Sequence, residues 1–583
     1  MSSLSPLLDS TTVGISLAIA VTGLVAISKW KGSRSLPYPP GPPPDPIIGN
    51  ARAMATDELA SVFADWGKKY GDVNYATLIG QPYIVLNSYQ AARDLLEKRS
   101  GIYSNRPPMV MLSEMMGWGE VLMHQELGPR FRKHRRIVQE ILSTKHISQY
   151  AQIQRKEAYS TLVDLGNTPD DLIKHLKRIL LDGVFTAAGT ILNITYGYTV
   201  KDCDDPLVLL ADECMTATMG AIGLGSLLCD LIPALKHWPT WAPFSGFKKH
   251  TVYTRSLVER FYHEPFQWLK TRMAEGAVKQ CITVDLMETM RTQSGPHRPS
   301  ETIDSTDILH ISSALYAAAS ETTAAVLEAF FLALLHHPEV FSKMQEEIDQ
   351  KTGKERLVDF DDRDSLPYFE CVMREVLRWG CPAPLGAPHQ LTENDIYKGY
   401  SMPKDATVMF NVFAMTRNEE LYPEPEKFMP ERFWGKLDTE AARQVNAVFG
   451  FGRRVCPGKA FAEASIFFVM SNIVASMDFT KAVDEAGVPI TPPVEFTKTL
   501  VRYVNGTGVV GKPYLSNLLD TSYRSSSSCN TVLKRRGFSS SKQTSSTTKL
   551  VHDSSFWPTW VFAHIVSECN TMSRRILTFF PRT

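Results

Sequence analysis

The stretch Phe449-Gly450-Phe451-Gly452-Arg453-Arg454-Val455-Cys456-Pro457-Gly458 decides how the rest of this chain is read. It has the composition of a tight loop that presents one cysteine. Gly452 and Gly458 permit turns that a Cβ would resist and let main-chain N–H groups come close to the sulfur. Pro457 fixes φ and can open the helical run that follows, Lys459 to Met477. A thiolate beside a helix N-terminus and two arginines is expected to have a depressed pKa, so that it can attack a substrate or bind a metal. A cysteine among glycines is more often a small buried hydrophobe, so the spacing has to carry the distinction.

That spacing is narrow: Phe449, then Gly452 three residues on, Arg454 five on, Cys456 seven on and Gly458 nine on. It resembles the haem-binding loop of the cytochrome P450 family, in which a cysteine thiolate holds the haem iron. The resemblance makes Cys456 the axial ligand of a haem b iron. It places Phe449 near the sulfur and pairs Arg454 with a haem propionate, with Gly452 and Gly458 completing the loop.

The 583 residues carry 62 Lys+Arg against 62 Asp+Glu, a formal net charge of zero. That speaks against a nucleic-acid partner, which usually meets a basic excess. Hydrophobic residues make up 44%, ordinary for a chain with a sizeable core. The 9 cysteines are odd in number and scattered, without a CxxC pair, as expected in a reducing compartment.

Thr12 to Ser28 is uncharged and mostly apolar, about 25 Å long as a helix, and Trp30 extends it as an interfacial residue. Asp9 precedes it, whereas Lys29, Lys31 and Arg34 follow. The positive-inside rule then puts residues 1–11 in the lumen, a transmembrane anchor at 12–30 and the rest in the cytosol, at the endoplasmic reticulum membrane. A cleaved signal peptide would need the opposite flanks. Residues 31–48 are basic and then proline-rich, which reads as a semi-rigid spacer and resembles the proline hinge of microsomal family members.

Val73–Leu78 and Pro82–Leu86 read as strands around Gly80-Gln81, and Ser88 as the cap of a helix to about Lys98. Arg106 to Glu126 is a loop rich in Met, Pro and Gly. The family's matching segment covers the substrate pocket, which makes Met111, Met115, Met116 and Trp118 candidate walls. Leu127 to Leu142 is a basic helix with Arg130, Arg132, Lys133, His134, Arg135 and Arg136. The family places a Trp-x-x-x-Arg pair here for the propionates. Here Phe131 and Arg135 take those positions, so the indole N–H is missing. The surplus cations, with Arg453 and Lys459, suggest a docking face for an acidic redox partner. Residues 150 to 300 read as mostly helical, with Pro206 to Pro233 at the family's substrate-entry helices and Lys279 to Asp304 as a loop. Asn193-Ile194-Thr195 is a glycosylation sequon by chance if the domain is cytosolic.

Ser305 can cap a long, apolar helix that runs to His336–His337, where Pro338 starts the next. In its middle stands Ala317-Ala318-Ala319-Ser320-Glu321-Thr322-Thr323. An acid and a hydroxyl in an apolar helix cost energy unless they have partners or a task. Thr322 can bond back to a carbonyl one turn earlier. The segment resembles the family's oxygen-activation motif, with Ala319 in place of the usual glycine. The resemblance makes Glu321 and Thr322 the residues that deliver protons, and Ala318 a pocket residue.

Glu375-Val376-Leu377-Arg378 puts acid and base on one helix face, on a helix beginning near Leu366. It resembles the family's buried Glu-x-x-Arg lock, joined by Arg432 of Pro430-Glu431-Arg432-Phe433, a structural triad. Pro382 to Pro388 resembles a substrate-lining turn with Leu385 as a contact, and His389 stands where the family often reaches a propionate. After Lys512 the Ser-rich tail, 513–583, reads as disordered.

The resemblance covers Leu36 to Lys512 and implies a mainly α fold with a small β region, with 49–512 as the catalytic domain. The implied reaction inserts one oxygen atom of O2 into an apolar small molecule, by hydroxylation or epoxidation. Without a dinucleotide fingerprint in the chain, electrons are expected from NADPH through a separate reductase, with cytochrome b5 as a further candidate partner. The closest likeness is to fungal enzymes of secondary metabolism or xenobiotic oxidation. The alternatives are a haem-thiolate isomerase or dehydratase that needs no O2, and a non-catalytic haem-binding membrane protein.

Overall fold

Two residues of positive φ, Ile79 (48°) and Gly80 (83°), close the first hairpin. Such a pair matches the right-handed twist of the strands it joins. Strands β1 (Val73–Leu78) and β2 (Gln81–Leu86) therefore pair in register from Val73 opposite Leu86 to Leu78 opposite Gln81. The turn sits one residue earlier than the sequence suggested. The computed structural model describes residues 36–504, apart from 57, 168–182, 201–204, 221–223, 293–301, 354, 482–487, 490 and 498–500, together with 519–523. The expected anchor at 12–30 lies outside the described residues.

Three further short strands, β3 (His389–Gln390), β4 (Asp395–Tyr397) and β5 (Tyr400–Met402), precede β6 (Thr407–Phe410). The main sheet has the order β1-β2-β6-β3, with β2 and β6 parallel, and β4 pairs with β5 as a separate hairpin. The proline segment before the sheet is docked rather than free. The carbonyls of Pro37 and Pro40 accept the N–H groups of Ser401 and Tyr75, at 2.8 and 3.2 Å, and Tyr38 stacks on Tyr75 at 4.4 Å. A Cβ at Gly41 would stand 1.9 Å from the Tyr75 carbonyl oxygen, so only glycine allows that approach. Helices make up most of the remainder. Ser88 caps its helix as expected, its hydroxyl accepting the Ala91 N–H at 3.2 Å.

The long helix, Ser305–His336, is capped by Asp304 rather than by Ser305. Asp304 accepts the Asp307 N–H at 2.8 Å while Asp307 accepts that of Asp304 at 3.1 Å, which satisfies two otherwise orphaned donors. Ile308 to Ala324 packs into one apolar cluster with the segments 110–142, 191–217 and 257–287. Val326 to Leu334 packs into a second, with the helices Pro367–Gly380 and Lys459–Ser476. The polar interruption of the helix lies where the first core gives way to the second. Among the described residues, two helices are long and apolar enough to cross a membrane, this one and Lys459–Ser476, and more than half of each is buried inside the protein.

Three expectations are corrected. Lys279 to Asp304 is not wholly a loop: Ile282–Thr292 is a helix that buries Ile282, Thr283, Leu286 and Met287, an i, i+4 pattern too short to stand out in the sequence. The loop after Arg106 contains two helical turns, Val110–Met115 and Trp118–Glu120. Within the tail, Leu519–Tyr523 forms β8, antiparallel to β7 (Met477–Lys481). A strand partner supplies hydrogen bonds that composition does not reveal. The sequon asparagine is buried, with its side-chain amide donated to Glu157 at 3.0 Å, so it offers no glycosylation site.

Candidate active site

The cysteine loop is held from behind by its own backbone. The Cys456 N–H donates to the Phe449 carbonyl at 2.7 Å. Gly450 and Gly452 adopt φ of 77° and 57°, and a Cβ on Gly452 would lie 1.9 Å from the Leu96 carbonyl oxygen. Gly452 is thus required on both counts. Gly458 is not strained: its φ is −88° and a Cβ there would meet nothing closer than 3.7 Å. Its contribution is the backbone N–H directed at the sulfur. Phe449 is half-buried beneath Lys459, whose ammonium stands 5.5 Å from the ring centroid.

Cys456 lies deep among protein atoms, yet its side chain is exposed, so it faces an internal space that solvent reaches. Burial pushes its thiol up, against the opposing pull of the Gly458 N–H, Arg135 and Lys459. The depressed pKa expected from the sequence is therefore not found. The arginines of the loop do not surround the sulfur: Arg453 is exposed and Arg454 turns away from it. A sulfur in this setting keeps its charge only against a cation, and metal coordination supplies one.

Arg454 reaches into a cluster that the loop alone did not disclose. Its guanidinium donates to the carbonyls of Ser104 (2.9 Å), Leu122 (3.3 Å) and Gln125 (2.7 Å). It also stacks 3.7 Å from the ring centroid of Phe131. The phenyl ring that replaces the family's indole thus serves as a platform for this arginine. Arg106 donates to the carbonyls of Met123 (2.8 Å), Ala387 (2.9 Å) and Pro388 (2.5 Å). Arg135 is buried, and its Nε has no hydrogen-bond partner. Burial and mutual repulsion bring Arg454 down to about 9, and burial alone brings Arg106 to about 10. His389 is buried beside them, its Nδ1 2.7 Å from the Tyr103 carbonyl; burial and the charges of Arg106 and Arg454 push it down to about 3. None of the three guanidiniums pairs with a carboxylate among the described residues. An orphaned buried Nε and uncompensated cations fit the two carboxylates of a haem, as the exposed sulfur fits its iron.

The long helix supplies the second open surface. Ala318 and Thr322, one turn apart, are exposed on a helix otherwise largely buried. Thr322 donates its hydroxyl to the Ala318 carbonyl at 3.1 Å, as its sequence position suggested. Glu321 accepts a hydrogen bond from the Tyr503 hydroxyl; burial and Asp212 raise its carboxyl, while Tyr503 lowers it. Leu385 is half-buried near the sheet. Met115 and Trp118 do not stand open. Both are buried in the first core, where the Trp118 indole donates to Thr218 at 3.0 Å and packs on Phe261 and Tyr262. Met111 and Met116 are buried with them.

The triad forms as the sequence implied. Arg378 donates to both Glu375 oxygens, at 2.7 and 2.8 Å, and Arg432 to one of them at 3.1 Å. Glu375 and Arg378 are 0% exposed. The basic helix, Pro129–Ile141, presents less charge outward than its composition promised. Arg132 and Arg136 are exposed, but Lys133 and His134 bind Asp307 and Arg130 binds Glu120.

A sequence model described as Cytochrome P450 matches residues 39–501. The chain belongs to the cytochrome P450 family. It is 34% identical over 470 residues to cytochrome P450 monooxygenase 176 of Postia placenta, covering 80% of this chain and 88% of that one. It is 35% identical over 485 residues to cytochrome P450 monooxygenase COX2 of Coprinopsis cinerea (83% and 89%). To cytochrome P450 monooxygenase claT of Ampulloclitocybe clavipes it is 35% identical over 483 residues (82% and 92%). This cytochrome P450 is an enzyme of the monooxygenase class, and its cofactor is haem with a cysteine thiolate ligand. Enzymes of the family draw electrons from NADPH through a reductase. Three residues of the site had no signal in the sequence reading. Arg106 is one arginine in a loop, His124 is one half-buried histidine whose Nδ1 stands 3.2 Å from the Trp118 carbonyl and whose ring feels the Arg106 and Arg454 charges, and Tyr503 lies past the matched segment.

Proposed function

We propose that this enzyme hydroxylates or epoxidises an apolar small molecule, a secondary metabolite or xenobiotic, with the balance RH + O2 + NADPH + H+ giving ROH + H2O + NADP+. The observation that carries the reading is an exposed sulfur set deep among protein atoms near the buried Arg135, with Arg106 and the half-buried Arg454 likewise lacking a carboxylate partner among the described residues. Haem, when bound, supplies the activation of O2, with electron density pushed from the thiolate. Cys456 is the ligand, and Arg106, Arg135 and Arg454, with His389 beside them, are the residues that would hold the propionates.

The remaining steps belong to the protein's own side chains. Ala318 and Leu385 supply apolar surface that orients the substrate, and the bound substrate displaces water from that space. Glu321, raised by burial, carries a proton at Oε1 into that space, since Oε2 is held by the Tyr503 hydroxyl, and the Thr322 hydroxyl passes it on from its place over the Ala318 carbonyl. Both protons of the released water enter by this route. Electrons come from NADPH through a separate reductase docked near Arg132, Arg136 and Arg453, with cytochrome b5 as a second donor. An anchor at residues 12–30 keeps the enzyme on the endoplasmic reticulum membrane with its catalytic domain in the cytosol.

The test replaces Cys456 by serine in protein reconstituted with reductase, lipid and NADPH. Turnover and the thiolate signature of the carbon monoxide adduct should both vanish. Unchanged NADPH-dependent product formation in Cys456→Ser would refute the assignment.

A further inference from the structure

A segment beyond the family match grips the long helix at its polar turn. Glu321 accepts the Tyr503 hydroxyl, and Glu328, seven residues on and hence on the same helix face, accepts the Val504 N–H at 2.9 Å. On the other side of the segment, the Arg502 N–H donates to Pro382 at 2.9 Å, and its guanidinium to the carbonyls of Trp379 (3.0 Å) and Gly380 (2.9 Å). Tyr503 is also fixed through its own main chain: its N–H donates to the Thr497 hydroxyl at 2.9 Å, and its carbonyl accepts the Thr497 N–H at 2.7 Å. The matched segment ends at residue 501, so the residues doing this lie just past it.

We infer that Tyr503 is a positioning residue for the reaction, its hydroxyl holding the Glu321 carboxyl at the turn that Ala318 and Thr322 open to the internal space. The inference rests on Glu321 acting as the proton carrier. Asp212, on the helix Pro206–Gly220, and Glu328, two turns along, are the other charged groups that bear on this pair, and both are acids. No cation pairs with Glu321 among the described residues. Tyr503 is therefore the donor that offsets burial and like charge at Glu321. Its own phenol is driven far above the ordinary range by burial and by Glu321, so it stays neutral. Tyr503 thus keeps its proton. The proton that leaves Glu321 is replaced from solvent, and the tyrosine holds the carboxylate through the exchange.

The decisive comparison is Tyr503→Phe in the haem-loaded enzyme. Losing the donor favours the protonated acid, so the pH–rate limb governed by Glu321 should move alkaline by about one unit, a tenfold change in proton affinity. In a Glu321→Gln background the same substitution should add nothing. A second readout is independent of turnover. The infrared carbonyl band of protonated Glu321, absent in Glu321→Gln, should titrate at correspondingly higher pH and change frequency in Tyr503→Phe. A limb and band at the wild-type positions would overturn the inference. If Tyr503→Phe fails to fold, Glu321→Asp, which withdraws the carboxyl by one methylene, should give the same alkaline displacement, and its absence would count equally against the idea. A normal profile in Glu321→Gln would instead remove Glu321 as proton carrier, while the infrared shift would still report the bond.

Discussion

Two groups of buried arginines stand in this enzyme, and they are completed differently. In the lock, Arg378 and Arg432 close on Glu375, and carbonyls of Thr416, Lys427 and Pro423 take the remaining donors. The charges satisfy one another, so the group needs nothing from outside. In the site, Arg106, Arg135 and Arg454 have carbonyls, one aromatic face and an orphaned Nε, but no carboxylate among the described residues. Desolvation is costly for an ion wherever it occurs. It is tolerated in the lock by internal pairing; in the site, the proposed pairing with the haem carboxylates would offset it. A buried cation cluster that its own chain leaves incomplete marks a place where a ligand is expected, whereas a complete one marks scaffold.

The sharpest way to break this contrast is Glu375→Ala, which strands two arginines in the second core. We expect a loss of about 3–5 kcal/mol in denaturant unfolding, with or without haem. A loss confined to the haem-loaded form would erase the distinction between the two clusters. Arg135→Leu should do the reverse. Removing an unpartnered cation should leave the haem-free protein melting no lower than wild type. Haem release should quicken about 10–100-fold, corresponding to a charged hydrogen bond of about 1.5–3 kcal/mol.

Burial, and after it the charges of Arg106 and Arg454, set the acid sensitivity of His389. With a folded pKa of about 3 against an unfolded value of about 6.5, the unfolded chain binds the proton first as pH falls. Its stabilising contribution is complete above about pH 6.5 and is lost on acidification, by about 2 kcal/mol between pH 7 and 5. His389→Gln should flatten the melting temperature over that interval, and an unchanged slope would show that neither burial nor the neighbouring arginines depress its pKa. The smallest effect is expected from Phe131→Leu, which removes the platform under Arg454 and should cost about 1 kcal/mol, again in haem retention more than in folding.

Much of the scaffold was legible because local chemistry enforces it. The β1–β2 hairpin to within one residue of its turn, the Ser88 cap, the Thr322 back-bond and the proline starting the helix at Pro338 each depend on residues within one turn of each other. The helix Ile282–Thr292 was missed because its apolar stripe spans only two repeats. Trp118 and Met115 are buried in the first core, and the sequence alone could not distinguish that place from an open pocket wall, since an apolar residue reads the same in either.

What the sequence determined by itself was the local spacing: a cysteine set among glycines, and an acid three residues from an arginine on one helix face. The family resemblance, rather than the spacing alone, marked the first as a ligand and the second as a buried lock. Only the tertiary structure decided which charges meet across long separations. It set Arg106 beside Arg454 and Tyr503 on Glu321, and it raised the cysteine thiol that its neighbours in sequence were expected to lower. Burial and Coulomb energy depend on distance in space, and residues hundreds of positions apart carry no local trace of it.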